Sequence, residues 1–148
     1  MSLTFRAVSE DEPGPKWARL FSEYRDAYMT WWAREGLSGR PTYLECRRAL
    51  RKHMPEIVPI YERLSDLAGG GDMEARFLSI YCPPRYLAGC RPAIWSGDEP
   101  LLERNYDYSP DAVDALLLKT KWLGREVIGM SDGLFGIVDG MNDAGLAV

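Results

Sequence analysis

Tyr81-Cys82-Pro83-Pro84-Arg85-Tyr86-Leu87-Ala88-Gly89-Cys90 is the stretch on which the fold turns. The paired prolines cannot continue a helix, because each lacks a backbone donor and restricts the residue before it. On their N-terminal side the apolar pattern has a helical period. Trp17, Leu20, Phe21, Tyr24, Tyr28 and Trp31 recur at three- and four-residue steps behind Pro13-Gly14-Pro15, which predicts an amphipathic helix ending near Gly36. Gly39-Arg40-Pro41 punctuates the chain. A second helical stretch carries Leu44, Leu50 and Met54, is interrupted at Pro55 and Pro59, and resumes through Ile60, Tyr61, Leu64 and Leu67 to Gly69-Gly70-Gly71. It reads as two helices or one kinked helix, and a short third helix is expected over 73–81.

On the C-terminal side the period changes to two. Short β-rich runs at 92–95, 101–106, 115–122, 126–130, 134–138 and 145–148 are separated by Ser-Gly-Asp, Ser-Pro-Asp, Leu-Gly-Arg, Ser-Asp-Gly and Asn-Asp-Ala-Gly turns. They predict a meander of antiparallel strands. Helices before and strands after make an α+β protein, with a detachable helical prefix over 1–89 and a β domain over 90–148.

Composition narrows the function classes. The 148 residues, 46% of them hydrophobic, suffice for one domain with a core. A formal charge of -4 offers no attraction to phosphate backbones or anionic lipid, so neither nucleic acid nor membrane is expected as a partner. Ser9, Glu10, Asp11 and Glu12 stand where a secretory signal would need an apolar core, and no apolar run approaches the roughly 18 residues of a membrane span, so the expected location is cytoplasmic. Three cysteines at irregular spacing do not make a disulfide framework.

His53 is the only histidine and reads as a surface or half-buried helix residue. Cys46, His53, Cys82 and Cys90 lack the short paired spacings of zinc ligands, so no metal is expected. The glycines at 69–71 precede no phosphate-binding pattern and read as a turn.

A cysteine can work without histidine when it is the first residue of a chain, because its own α-amine, with a pKa of roughly 8, serves as base. Cys90 opens the first strand of the β half directly after Gly89. A glycine there, having no side chain, permits the close approach of the thiol to the preceding carbonyl that an N-to-S acyl shift requires. Read alone, a Gly-Cys pair is a very weak signal and fits a buried free thiol far better.

Two further motifs accompany it: Glu103-Arg104-Asn105-Tyr106-Asp107-Tyr108, and Asp139-Gly140-Met141-Asn142-Asp143-Ala144-Gly145-Leu146-Ala147-Val148. With the glycine-preceded cysteine they resemble the cysteine N-terminal-nucleophile hydrolases of linear amides. That superfamily includes choloylglycine hydrolase, penicillin V acylase and the acyl-coenzyme A:6-aminopenicillanate acyltransferase branch, also classed as peptidase family C45. The last is most similar, since its members carry a helical propeptide before the cysteine, and Arg-Phe-Leu-Ser-Ile-Tyr at 76–81 leads toward the junction in the same way.

The resemblance implies an αββα sandwich activated by cleavage between Gly89 and Cys90. Cys90 is then the autoproteolytic and catalytic nucleophile, Arg104 lies beside its sulfur, and Asp107 accepts from its new α-amine. A bend or bulge is expected to turn Arg104 and Asp107 inward together. Asn105, Tyr106 and Tyr108 are expected to pack and pair strands, and Asn142 to shape a hairpin turn. The implied substrate is a small-molecule amide or acyl thioester and no cofactor is called for, because nucleophile, base and orienting groups are all amino-acid groups. A homo-oligomer is compatible with the sequence.

Two departures stand out. Arg91-Pro92 follows the cysteine where relatives commonly have a small hydroxylic residue, and Val148 falls in mid-strand, so the sandwich is expected to be incomplete. Two other classes fit parts of the sequence. One is a non-enzymatic interaction domain, or a truncated inactive relative, using the face around Trp31, Trp32 and the tyrosines to dock a partner. The other is a redox-sensing protein with Cys90 exposed and uncleaved.

Overall fold

A computed structural model describes residues 4–85, 91–105 and 113–148. Its elements, in chain order, are β1 (Arg6–Ser9), α1 (Pro15–Ala33), α2 (Tyr43–His53), α3 (Val58–Leu67), α4 (Asp72–Leu78), β2 (Arg91–Trp95), β3 (Leu101–Asn105), β4 (Leu116–Thr120), β5 (Val127–Asp132) and β6 (Gly136–Asn142). Single 3-10 turns at Leu37–Gly39 and Pro55–Ile57 mark the expected breaks around α2. The fold is α+β, as the change of period predicts.

Each helix starts where local chemistry satisfies its free donors. Pro15 enters α1 in the first turn, where a missing N–H costs nothing. The Glu10 carboxylate accepts from the backbone N–H groups of Gly14 (3.1 Å), Lys16 (2.9 Å) and Trp17 (2.9 Å), capping α1 from the end of β1. Thr42 and Glu45 form a reciprocal capping box on α2. The α3 C-terminus closes with Gly69 N–H on the Asp66 carbonyl and Gly70 N–H on that of Ser65, both glycines at positive φ.

Four strands form one sheet in the order β1-β4-β5-β6, and β2 and β3 form a separate hairpin. On β4, Leu116, Leu118 and Thr120 are buried while Leu117 and Lys119 point outward. The buried face meets the helices in one core that includes Trp17, Phe21, Trp32, Phe77, Leu116 and Leu134. Phe77 stacks on Tyr28 with centroids 4.9 Å apart and meets Trp32 and Phe135 edge-on. The face around Trp31 and Trp32 is therefore core: Trp32 is fully buried.

Three expectations need correction. Residues Arg6–Ser9 form a strand that the helical reading of the first half does not contain, and it runs parallel to β4, so the sheet is not a purely antiparallel meander. The strand is short and takes its conformation from hydrogen bonds to a distant partner, which local periodicity does not encode. β1 places a strand from residues 1–89 in the same sheet as β4. Finally, residues 145–148 make only an isolated bridge, Met141 with Ala147, in place of a full strand.

Candidate functional site

Arg104 is the one site residue proposed from sequence that falls among the described residues. Gly89 and Cys90, the expected cleavage pair, and Asp107, with its neighbours Tyr106 and Tyr108, lie outside them. Along β3 exposure alternates, so Leu102 and Arg104 share the less exposed face. From there Arg104 reaches β6: its Nε donates to Asp139 Oδ1, and its Nη2 donates to the Val138 carbonyl at 3.2 Å. Both side chains are largely covered, at 19% and 25% exposure, so the ion pair is shielded more than a surface pair.

The backbone under this contact is irregular for a steric reason. The register between β5 and β6 pairs Met130 with Asp139 but Ser131 with Ile137, so Val138 is an extra residue on β6. The carbonyl of this bulged residue is the one that accepts from the guanidinium. Beside the bulge, Gly129 lies directly opposite Gly140. A Cβ on Gly129 would stand 2.4 Å from the Asp139 carbonyl oxygen, and one on Gly140 would stand 2.7 Å from Ile137 Cγ2. Two glycines are thus needed for the strands to close around the bulge. Gly140 of the Asp-Gly-Met-Asn motif has a backbone role, and Asp139 is the arginine's anchor. Sequence reading missed that pairing, which joins residues 35 positions apart.

Asn142 makes the turn expected of it. Its Oδ1 accepts from Ala144 N–H and Leu146 N–H, each at 3.0 Å, and Gly140 and Val148 exchange backbone bonds as the chain folds back along β6.

A second polar centre binds α1 to the sheet. Asp114 is buried and accepts from Tyr28 Oη (2.7 Å), Ser131 Oγ (3.1 Å) and Leu134 N–H (3.1 Å). Burial pushes its carboxyl above the usual range, against the pull of these donors, and pushes the Tyr28 phenol up as well. Leu134, at a φ of 63°, is held from both ends, since its carbonyl accepts from Trp17 Nε1 at 2.6 Å.

Among the described residues, His53, Cys46 and Cys82 stand apart from both centres. His53 is exposed at the basic end of α2. Cys46 is buried in the helical layer, where burial raises its thiol pKa and keeps it protonated, while Cys82 is exposed. Among the described residues no group of three or more His, Cys, Asp or Glu is placed to hold a metal ion, and no helix is long and apolar enough to cross a membrane.

Comparison with known families gives one match: residues 95–148 match the family described as acyl-coenzyme A:6-aminopenicillanic acid acyl-transferase. No curated protein and no solved structure matches the chain. The matched segment contains Arg104, Asp107 and the whole Asp139–Val148 motif, and begins five residues after Cys90 in sequence. It bears out, over those residues, the resemblance drawn from the two motifs, and it points to an acyltransferase or N-terminal-nucleophile hydrolase type of enzyme.

Proposed function

From the acyl-transferase match over residues 95–148, we propose that this chain is the precursor of a self-processing cysteine N-terminal-nucleophile enzyme acting on a linear amide or an acyl thioester. The observation that carries this reading is the register of Arg104. It pairs with Pro92 across the β2–β3 hairpin, and Cys90 stands two positions before Pro92 in sequence. Arg104 is thus a cation anchored by Asp139 on the hairpin that follows Cys90 in sequence, and the proposal puts it beside that thiol.

The chemistry follows in two stages. In processing, Cys90 Sγ adds to the Gly89 carbonyl carbon, the bond to Cys90 N breaks and that nitrogen takes up a proton. Water then hydrolyses the thioester, leaving a Gly89 carboxylate and a free Cys90 α-amine and thiol. In turnover the α-amine accepts the thiol proton, and the thiolate attacks the substrate carbonyl. Arg104, fixed by Asp139, favours the thiolate and the developing oxyanion. Asp107 accepts from the α-amine and holds it near the sulfur. In this reading residues 1–89 are the prosegment and 90–148 begin the catalytic domain, in the cytoplasm.

The test is amide and acyl-thioester turnover by the full chain and its Cys90→Ala and Cys90→Ser variants. Loss of turnover in Cys90→Ala supports the reading, and retained turnover contradicts it.

A further inference from the structure

Between the helical layer and the sheet lies a cavity of about 460 Å³, lined almost throughout by apolar surface. Ile60 and Leu64 of α3 belong to one wall, and Thr120, Val127 and Ile137 of β4, β5 and β6 to the other. The cavity lies on the sheet face opposite Arg104. Thr120 and Val127 are paired across β4 and β5, and both line it. Met130, three residues along β5 from Val127, faces the other way, and Asp139, the anchor of Arg104, is its partner in the register.

The size suits a small molecule. Ligand sites are concave, mostly apolar and roughly 300–1,000 Å³, and a gap of this kind is larger than the packing of two layers leaves. The polar groups of the lining narrow the ligand's chemistry. The turn between β4 and β5 supplies Leu123, which is 62% exposed, and Arg125, the one charged residue among the described residues of the lining. Arg125 Nη1 donates to Asp143 Oδ1 at 3.0 Å, but both side chains are about half exposed. That pair is therefore weak, and the guanidinium keeps donors for a second anion. Trp122, also in the lining, has its indole N–H enclosed with no acceptor among the described residues. Buried donors are rarely left so. A ligand with oxygens at its polar end suits these two groups, and a plain hydrocarbon does not.

We infer that this cavity binds an alkyl carboxylate, its chain lying between α3 and the sheet and its head group at Arg125. The site uses no residue of the self-processing reading and stands whether or not the chain is cut. Because Ile60 precedes position 90 and Ile137 follows it, a bound alkyl chain adds to the contacts that join the two parts.

The experiment is titration calorimetry of the full chain with octanoate, decanoate and dodecanoate, each below its micelle concentration, and with 1-decanol. Saturable one-to-one binding is expected, tightening about fourfold for each added methylene that leaves water. Arg125→Gln is expected to weaken decanoate about fivefold and to leave 1-decanol within about twofold. Ile60→Trp, which puts an indole into the cavity, should abolish binding of both. Arg125→Gln, on an exposed residue, serves if Ile60→Trp does not fold. The parent's urea midpoint should rise with decanoate concentration, as it does for any ligand that prefers the folded state. Cys90→Ala is expected to bind as the parent does, so failure of self-processing leaves the site standing. Decanoate that does not bind, binds without saturation, binds Ile60→Trp as tightly as the parent, or lowers the urea midpoint overturns the site. Equal weakening of decanoate and 1-decanol in Arg125→Gln overturns the placement of the head group.

Discussion

Arg104 on β3 and Asp139 on β6, 35 residues apart in sequence, form an ion pair that fastens the β2–β3 hairpin to the four-stranded sheet, with the carbonyl of the bulged Val138 as the second acceptor. The guanidinium donates through two different nitrogens to acceptors on consecutive residues, so its direction as well as its charge is fixed. An arginine held in this way can stabilise a thiolate without reorganising at the moment of reaction.

Arg104→Lys is therefore not a conservative change. A lysine carries the charge but has no fork to engage Asp139 and Val138 together, and turnover is expected to fall about tenfold to a hundredfold. Asp139→Asn should fall by a similar factor, and the double variant by little more than either. A cycle over the four proteins is expected to give a coupling of about 1–3 kcal/mol, whereas additive losses would show that the two residues act independently.

The glycine pair beneath the bulge should tolerate no methyl group. Gly129→Ala places a Cβ against the Asp139 carbonyl, a backbone atom with nowhere to move, and against Ile137. Gly140→Ala meets Ile137 Cγ2 and the Ile128 carbonyl. Each is expected to destabilise the fold by about 1–3 kcal/mol, seen as a lower urea midpoint, with Gly129→Ala the worse. A midpoint unchanged in Gly129→Ala would show that the strands can part.

Asp114 should make stability depend on pH in an unusual direction. Burial raises its carboxyl pKa in the folded chain, so the fold favours the protonated form. Its contribution is then fully present below the unfolded pKa of about 4 and is lost as pH rises through the higher folded value. Asp114→Asn is expected to cost about 1 kcal/mol, because three donors meet one fewer acceptor oxygen, and to flatten the decline in urea midpoint on the alkaline side of pH 4. An equal slope in both proteins would assign the pH dependence to other groups.

Processed chain should stay in one piece. β1 is hydrogen-bonded to β4, Trp17 to Leu134 and Tyr28 to Asp114, and each of these ties joins residues on opposite sides of the bond between Gly89 and Cys90. The two fragments are expected to co-elute at the size of the uncut chain and to separate only in denaturant. Fragments that separate in native buffer would contradict this core.

How far the sequence revealed this arrangement follows from the range of the interactions concerned. The aromatic stripe of α1 is legible because Trp17, Phe21 and Tyr28 recur locally at the helical period, and β4 because Leu116, Leu118 and Thr120 alternate with outward residues. Arg104 was found through its motif. Its partner Asp139 was not, because nothing local distinguishes an acidic residue that anchors an arginine from one that lines a turn. The same holds for β1, for Asp114 and for Glu35. The bond from Arg85 N–H to the Glu35 carboxylate crosses 50 residues, and no periodicity signals a contact between a helix end and a backbone that distant.

The most direct test of self-processing is the intact mass of the purified full chain beside its Cys90→Ala variant. Two fragments are expected in the parent, ending at Gly89 and beginning at Cys90 and together one water heavier than the chain, with a single uncut chain in the variant. A parent that remains whole, or a Cys90→Ala chain cut at the same bond, would contradict it.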